Sequence, residues 1–378
     1  MNILVPILVI GILIFVHELG HFLVAKWCGV GVLEFAIGFG RKVLKWRRGD
    51  TVYSVGIIPL GGYVRMVGDD PARAAEELLS EREADLTERE RKLLGDRTKW
   101  FAEKPLSRRF AIVFAGPLFN YLFAILLTFV SFASYGKSVL IDEPIIGAVI
   151  PGYPAEKAGL QIKDRVISID GMSPKNWEEL SKTVSSSNGK ELLLKIQRAA
   201  KDDAPAAELE VRVTGTSDTS DLQIIESSPV TKSYKIGIVP DTKRERIGLF
   251  EAATLSVTQT WYVATLTFKG LVGMIRGAVS PENIRGPIFI FKEAASSAKQ
   301  GIERLLDFLT FLSISLAVLN LLPVPVLDGG HLFFFLLEGI RRRPLSMRFQ
   351  EVANQVGMLL LLALMVFAVG NDLLQLVM

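Results

Sequence analysis

The chain has 378 residues, 49% of them hydrophobic and 22% charged, with a formal net charge of +3. So small a positive balance gives no basis for a nucleic-acid partner, and the single cysteine, Cys28, excludes an internal disulfide. High apolar content beside ordinary charge means that apolar and polar stretches are segregated along the chain, as in a membrane protein of about two to three domains.

The first apolar run, Ile3 to about Ala25, is long enough to cross a bilayer core of about 30 Å. It lacks a basic start and a small-residue cleavage site, so it reads as a retained span rather than a cleaved signal. Inside it stands His17-Glu18-Leu19-Gly20-His21. Positions four apart on an α-helix share a face, so the two imidazoles can hold one metal ion, with Glu18 beside them to act on an activated water. Ionisable groups at the centre of a membrane helix cost roughly 2.5–3.5 kcal/mol each on insertion scales, so three within about a turn call for a compensating use. The alternative is a buried His pair hydrogen-bonded to neighbouring helices. Cys28 lies off that helix face and reads as a small apolar residue at the membrane boundary.

From Lys26 to Arg65 the chain is Gly-rich and β-leaning, with Gly38-Phe39-Gly40, a basic cluster from Arg41 to Arg48, the alternating Thr51–Val55, and Ile57-Ile58-Pro59-Leu60-Gly61-Gly62-Tyr63-Val64. Two readings stand open. One is a β-hairpin dipping into the membrane edge, whose free strand edge pairs with an extended substrate; the other is a surface hairpin anchored by basic residues. Pro71–Lys104 is densely charged and predicts a solvated helix without chemistry. A second span covers about Phe110–Tyr135 and contains Gly116-Pro117-Leu118-Phe119-Asn120, where the Gly-Pro pair kinks the helix or opens backbone groups that Asn120 can bond, with a simple packing kink as the alternative to a catalytic part.

Ser138 to about Thr242 predicts a soluble α+β domain. Its strands fall at Ile145–Ile150, Arg165–Ile169, Glu191–Gln197, Glu208–Val213 and Lys235–Val239, and its helices at Pro154–Gly159 and Asn176–Val184. Ile247–Gly277 is amphipathic and suits the membrane surface, with a true span as the weaker option. A third span, about Leu305–Leu322, runs into Asn320-Leu321-Leu322-Pro323-Val324-Pro325-Val326-Leu327-Asp328-Gly329-Gly330-His331. Two prolines break the helix at membrane depth, which is tolerated where backbone lines a protein-buried cavity. Asp328, beside the break, is the candidate third metal ligand, with a helix-capping carboxylate as the alternative. A last span covers about Val356–Val369.

Lys and Arg are concentrated after the first span and after the third, at Arg341-Arg342-Arg343 and Arg348. With about four spans, both basic loops lie inside and the soluble domain lies on the extracytoplasmic side. Asp328 and the metal helix then approach from the same side.

These motifs resemble the site-2 protease family of intramembrane zinc metalloproteases, in particular its bacterial RseP-like group. The resemblance rests on the H-E-x-x-H helix, the Gly-Pro-x-x-Asn span, a PDZ-like stretch and Asn-x-x-Pro-x-Pro-x-x-Asp-Gly. The PDZ-like stretch is Pro151-Gly152-Tyr153-Pro154-Ala155-Glu156-Lys157-Ala158-Gly159-Leu160 followed by Asp164–Gly171. The fold implied is a polytopic α-helical membrane protein with a membrane-associated β-hairpin region and an inserted α+β PDZ domain. It divides into an N-terminal membrane part at 1–137, a PDZ domain at 138–242 and a C-terminal membrane part at 243–378. Some relatives carry tandem PDZ domains; one signature is present here, with Ile145–Ile150 expected to border its groove.

By the resemblance, His17, His21 and Asp328 bind one Zn2+ per chain, Glu18 is general base and acid, and Asn320 steadies substrate or transition state. Gly38, Phe39, Gly40, Gly61, Gly62 and Tyr63 belong to the region that holds an unwound substrate strand. The implied activity is cleavage of transmembrane segments of single-span proteins or signal-peptide remnants (regulated intramembrane proteolysis, with anti-sigma factor release as one such pathway). The partners are those substrates, the lipid bilayer, and a peptide or C-terminus in the PDZ groove. The implied location is the bacterial cytoplasmic (inner) membrane. The main rival is a non-enzymatic PDZ membrane scaffold; a weaker one is a transporter or ion channel with Asp328 and the His pair on its pathway, against which the lack of an internal repeat speaks.

Overall fold

A computed structural model describes residues 4–69, 88–199, 207–218, 233–277 and 285–377. The chain forms two units, one of Met1–Ser131, Ala253–Phe268 and Pro281–Met378, the other of Phe132–Ala252 and Lys269–Ser280.

The first unit opens with helix α1 (Leu4–Trp27), whose only ionisable residues before Lys26 are those of the His-Glu-His group. Two long strands follow, β1 (Val32–Arg48) and β2 (Thr51–Met66). The first stretch of β1 pairs twice: Phe35 lies opposite Tyr53 on one side and Val64 on the other, while Arg47 pairs with Val52. The strands therefore fold back on themselves into a sheet four passes wide, and the Gly62–Met66 pass forms one margin. Gly38 and Gly40 (both φ +80°) make the bend in β1, a conformation that side chains with a Cβ resist. Phe22, Ala25, Cys28, Val32, Phe35 and Ile112 belong to the core under this sheet, and Cys28 is buried there as a free thiol.

The charged stretch lies outside the described residues up to position 87. Its remainder begins with α2 (Glu88–Gly95), which buries Leu93 and Leu94 against Leu33, Val67 and Trp100. Helix α3 (Leu106–Tyr135) carries Pro117 in its interior without interruption. Among the described residues three helices are long and apolar enough to span a membrane: α1, α3 and the last helix, α10 (Met347–Val377), over Met347–Gln375. The expected third span corresponds to a 19-residue helix, Ile302–Asn320 (α8), whose first turns carry Glu303, Arg304 and Asp307; these charges and its shorter length set it apart from α1, α3 and α10. After the proline break, α9 (Asp328–Arg341) starts afresh.

In helix α6 (Leu249–Ile275), Ser256 and Thr260 are buried, and Thr260 Oγ1 lies 3.5 Å from Thr128 Oγ1 of α3. Small polar residues let membrane helices approach closely, so the 253–268 part packs within the first unit, its outer side presenting Trp261 and Tyr262. The N-terminus of α7 (Pro287–Gln300) is capped by buried Asp372 of α10, which accepts from the backbone N–H groups of Gly286 (2.8 Å) and Phe289 (3.0 Å). A carboxylate there answers the unpaired N–H groups of the helix end.

Among its described residues the second unit holds short strands and the helices α4 (Pro154–Lys157) and α5 (Trp177–Ser185), the latter capped by Asn176. Strands β3 (Lys137–Leu140) and β11 (Thr242–Glu245) pair, as do β4 (Ile146–Val149) and β10 (Ile238–Pro240). Strands β5 (Arg165–Ile169), β6 (Glu191–Arg198) and β7 (Ala207–Thr214) form an antiparallel sheet. Alternate residues of β6, namely Leu192, Leu194 and Ile196, point into the core with Ile146, Leu180 and Ile236. Strand β8 (Thr216–Asp218) pairs with β9 (Ser233–Lys235). The single expected strand Lys235–Val239 is split into β9 and β10 by Gly237 at φ +85°. A groove of about 230 Å³ runs between α5 and the Tyr234–Ile238 stretch. Of the strand expected to border it, only Ile150 reaches the groove.

Candidate metal centre

Three side chains from two helices converge in the first unit. His17 and His21 lie one turn apart on α1, and Asp328 is the first residue of α9. His17 Nε2 is 3.1 Å and His21 Nε2 3.5 Å from Asp328 Oδ2, and the two Nε2 atoms are 3.2 Å apart. Ligand atoms at 2.0–2.1 Å around a tetrahedral zinc lie about 3.3–3.4 Å from one another, so this triangle has the dimensions of three ligands of one ion.

The local chemistry agrees. Asp328 Oδ2 is within ion-pair distance of both rings, but neither approach is aligned as a hydrogen bond, and the oxygen stays buried without a donor. A buried carboxylate oxygen without a donor is costly unless a cation meets it. The donor set of two imidazoles and a carboxylate suits zinc. His21 Nδ1–H donates to the carbonyl of Ile112 at 2.9 Å, which leaves Nε2 with its lone pair free to bind. His17 Nδ1 faces the carboxamide of fully buried Asn120, with Nδ2 placed at 3.2 Å and Oδ1 without any partner. The N and O of a carboxamide are assigned from the bonding network. With Oδ1 turned to His17, Nδ1–H gains an acceptor and Nε2 is freed for the metal, as at His21.

Glycines make this approach of helices possible. A Cβ on Gly116 of α3 would collide with both imidazoles, and one on Gly20 of α1 would collide with the Ala115 carbonyl. Asp328 reaches the site because the break releases α9 from the direction of α8. Val326 is held at φ +85° there, a strained conformation for a β-branched residue.

Glu18 sits beside the cluster against β2: a Cβ on Gly62 would come within 2.9 Å of Glu18 Cγ. The other β residues singled out from the sequence lie on the same two strands. A Cβ on Gly61 would strike the Phe39 ring, which stacks on Tyr63 at 6.4 Å between centroids. The Tyr63 hydroxyl donates to Glu34 Oε2 (2.7 Å). Among the described residues no strand pairs with the outer side of the Gly62–Met66 pass. Asn320 closes α8, and its carboxamide makes no hydrogen bond to the cluster. The contact of Asn120 with His17 replaces the expected bonds to backbone groups near Pro117; the Asn three residues after Pro117 is the one signal of it in the sequence.

The family model described as "Peptidase family M50" matches residues 5–364. A protein of Mesorhizobium japonicum named "Putative zinc metalloprotease mll0638" is 37% identical over 377 residues, covering 98% of each chain. "Putative zinc metalloprotease Cj1068" of Campylobacter jejuni is 36% identical, covering 98% of this chain and 92% of its own. "Zinc metalloprotease RasP" of Geobacillus kaustophilus is 30% identical, covering 97% of this chain and 96% of its own.

Proposed function

The chain belongs to peptidase family M50, and on that premise we propose that it is a zinc-dependent endopeptidase that cuts substrates within the membrane. One observation carries the proposal: two imidazole nitrogens and a donorless carboxylate oxygen meet at zinc-ligand spacing on apolar helices. His17, His21 and Asp328 would hold one zinc ion per chain. Zinc bound there supplies Lewis-acid polarisation of a carbonyl and acidification of water.

The chain's own residues do the rest. Glu18 takes a proton from the attacking water and delivers it to the departing amine nitrogen, the general base and then the general acid. Carbonyls of a helical substrate are tied in hydrogen bonds, so the scissile segment must be unwound. The free margin of β2 at Gly62 and Tyr63 runs past Glu18, and a substrate strand added there would lie beside the proton carrier. Gly38, Phe39, Gly40 and Gly61 shape the bend that supports this margin, and Asn320 is assigned to steadying substrate or transition state. The exposed Phe39, Val43, Leu44, Ile57 and Ile58 on the same strands suit a membrane edge.

The substrates are transmembrane segments of single-span proteins or signal-peptide remnants, in regulated intramembrane proteolysis. We assign the site to the bacterial inner membrane, with α1, α3 and α10 as spans and the shorter α8 taken as a further one between α3 and α10. Residues 138–242 are read as a PDZ domain on the extracytoplasmic side. Its groove between α5 and Tyr234–Ile238 takes a peptide or C-terminus. The test is incubation of purified wild type and Glu18→Gln with a panel of single-span substrates, with cut sites mapped by mass spectrometry. Cuts within the span by wild type alone are expected; equal cleavage by Glu18→Gln would refute the proton-carrier role.

A further inference from the structure

Arg109 and Glu338 are 229 residues apart in sequence and form a two-pronged ion pair between α3 and α9. Nη1 donates to Oε2 at 3.2 Å and Nη2 to Oε1 at 2.5 Å, with the side chains only 16% and 20% exposed. The rest of the guanidinium is also engaged. Nε donates to the Lys104 carbonyl at 3.2 Å, and the group lies 5.1 Å over the ring of Phe335, itself buried. Beside the pair, a Cβ on Gly339 would come within 3.2 Å of Leu106 Cδ2, so the two helices are in close contact at this point.

The pair joins the two halves of the metal site. The histidine side is tied to α3, through the Ile112 carbonyl on His21 and the tight fit of Gly116 on both rings. The carboxylate side is carried by α9. Its first turn sits on the break, where Cβ atoms at Gly329 and Gly330 would strike the Leu322 and Val324 carbonyls. The break and α9 are thus one piece, and its register against α3 sets where Asp328 falls. Arg109 is seven residues from Gly116 and Glu338 ten from Asp328, so the pair lies about 10–15 Å along each helix from the ligands.

We propose that Arg109–Glu338 is a positioning clamp for the metal site, fixing the register of α9 against α3 so that Asp328 meets His17 and His21. The inference rests on the reading of those three residues as metal ligands. A forked guanidinium–carboxylate pair suits this task because it fixes direction as well as distance, which a lysine ammonium does not.

The test uses purified full-length wild type, Arg109→Lys, Glu338→Gln and the exchanged pair Arg109→Glu/Glu338→Arg. Each is titrated with Co2+ by visible absorption and with Zn2+ against a chelator, and the thermal unfolding of the metal-free form is recorded. We expect a tetrahedral cobalt spectrum in wild type. The single variants should bind either metal roughly 10–100-fold more weakly, with an altered band shape. The exchanged pair should recover part of the loss. A merely structural pair would lower metal-free stability and leave the affinity and spectrum of the folded protein unchanged; that result, or an exchanged pair no better than the singles, overturns the clamp alone. Should Glu338→Gln fail to fold, Arg109→Lys, which keeps the charge and loses the fork, carries the test. Failure of wild type to bind cobalt overturns the ligand reading, and the clamp with it.

Discussion

Asn120→Ala removes the side chain that faces His17 Nδ1, at a position sealed from solvent. A neutral hydrogen bond is worth about 0.5–1.5 kcal/mol, and a buried donor left unpaired costs about 1–3 kcal/mol. The part that falls on metal binding is the part that fixes the tautomer, since only the Nδ1–H form presents Nε2 to the ion. Loss of such a partner typically weakens metal binding 10–100-fold, about 1.4–2.7 kcal/mol, which lies inside that range. The assay is zinc competition against a chromophoric chelator, with folding checked by circular dichroism. Ser313→Ala is the control, because Ser313 Oγ donates to the Asn120 backbone carbonyl (2.8 Å) and leaves its carboxamide alone; it should bind zinc as wild type does. Asn120→Asp keeps an acceptor and should retain more affinity than the alanine variant. A folded Asn120→Ala protein with wild-type zinc affinity would refute the argument.

Three further outcomes follow from the same geometry. Gly116→Ala places a methyl group where both imidazoles stand, so zinc content should fall to a trace while helical content is kept; a zinc-replete variant would show that the rings can give way. Gly62→Val puts its side chain against Glu18 and the margin of β2, so cleavage should drop at least tenfold (about 1.4 kcal/mol) with zinc content unchanged, and loss of both together would contradict the assignment. In the second unit, Asp164 is buried and bound by both prongs of Arg198 (2.8 and 2.7 Å), so Arg198→Ala should destabilise that unit by about 3–5 kcal/mol. Proteolytic susceptibility of the unit measures this, and unchanged resistance would count against a structural role for the pair.

The sequence was most informative where a short-range period or a break carries the chemistry. His17 and His21 share a face by helix geometry alone, and Asp328 announced itself beside two prolines. The spans of α1, α3 and α10 were legible as apolar runs. Features that depend on pairing across long separations were not. The double pairing of β1, with Phe35 between Tyr53 and Val64, needs the chain to fold back at Gly38 and Gly40, and no alternation pattern reports that. Gly237 looked like a strand residue until its left-handed backbone split the run. The apolar run from Leu305 marks α8, but the helix starts earlier, at Ile302, and takes in Glu303 and Arg304. The partner of Asn120 depends on which face of α3 meets α1, and Arg109 meeting Glu338 depends on the whole arrangement of helices.

The central claim is that one zinc ion is held by two imidazoles and a carboxylate among apolar helices. X-ray absorption at the zinc edge of the purified full-length protein tests it most directly, with metal content measured on the same sample. The account predicts one zinc per chain, a first shell of two imidazole nitrogens with oxygens and no sulfur, and loss of the bound zinc in Asp328→Ala. A sulfur ligand, which only Cys28 or a methionine could supply, or undiminished zinc in Asp328→Ala, would contradict it.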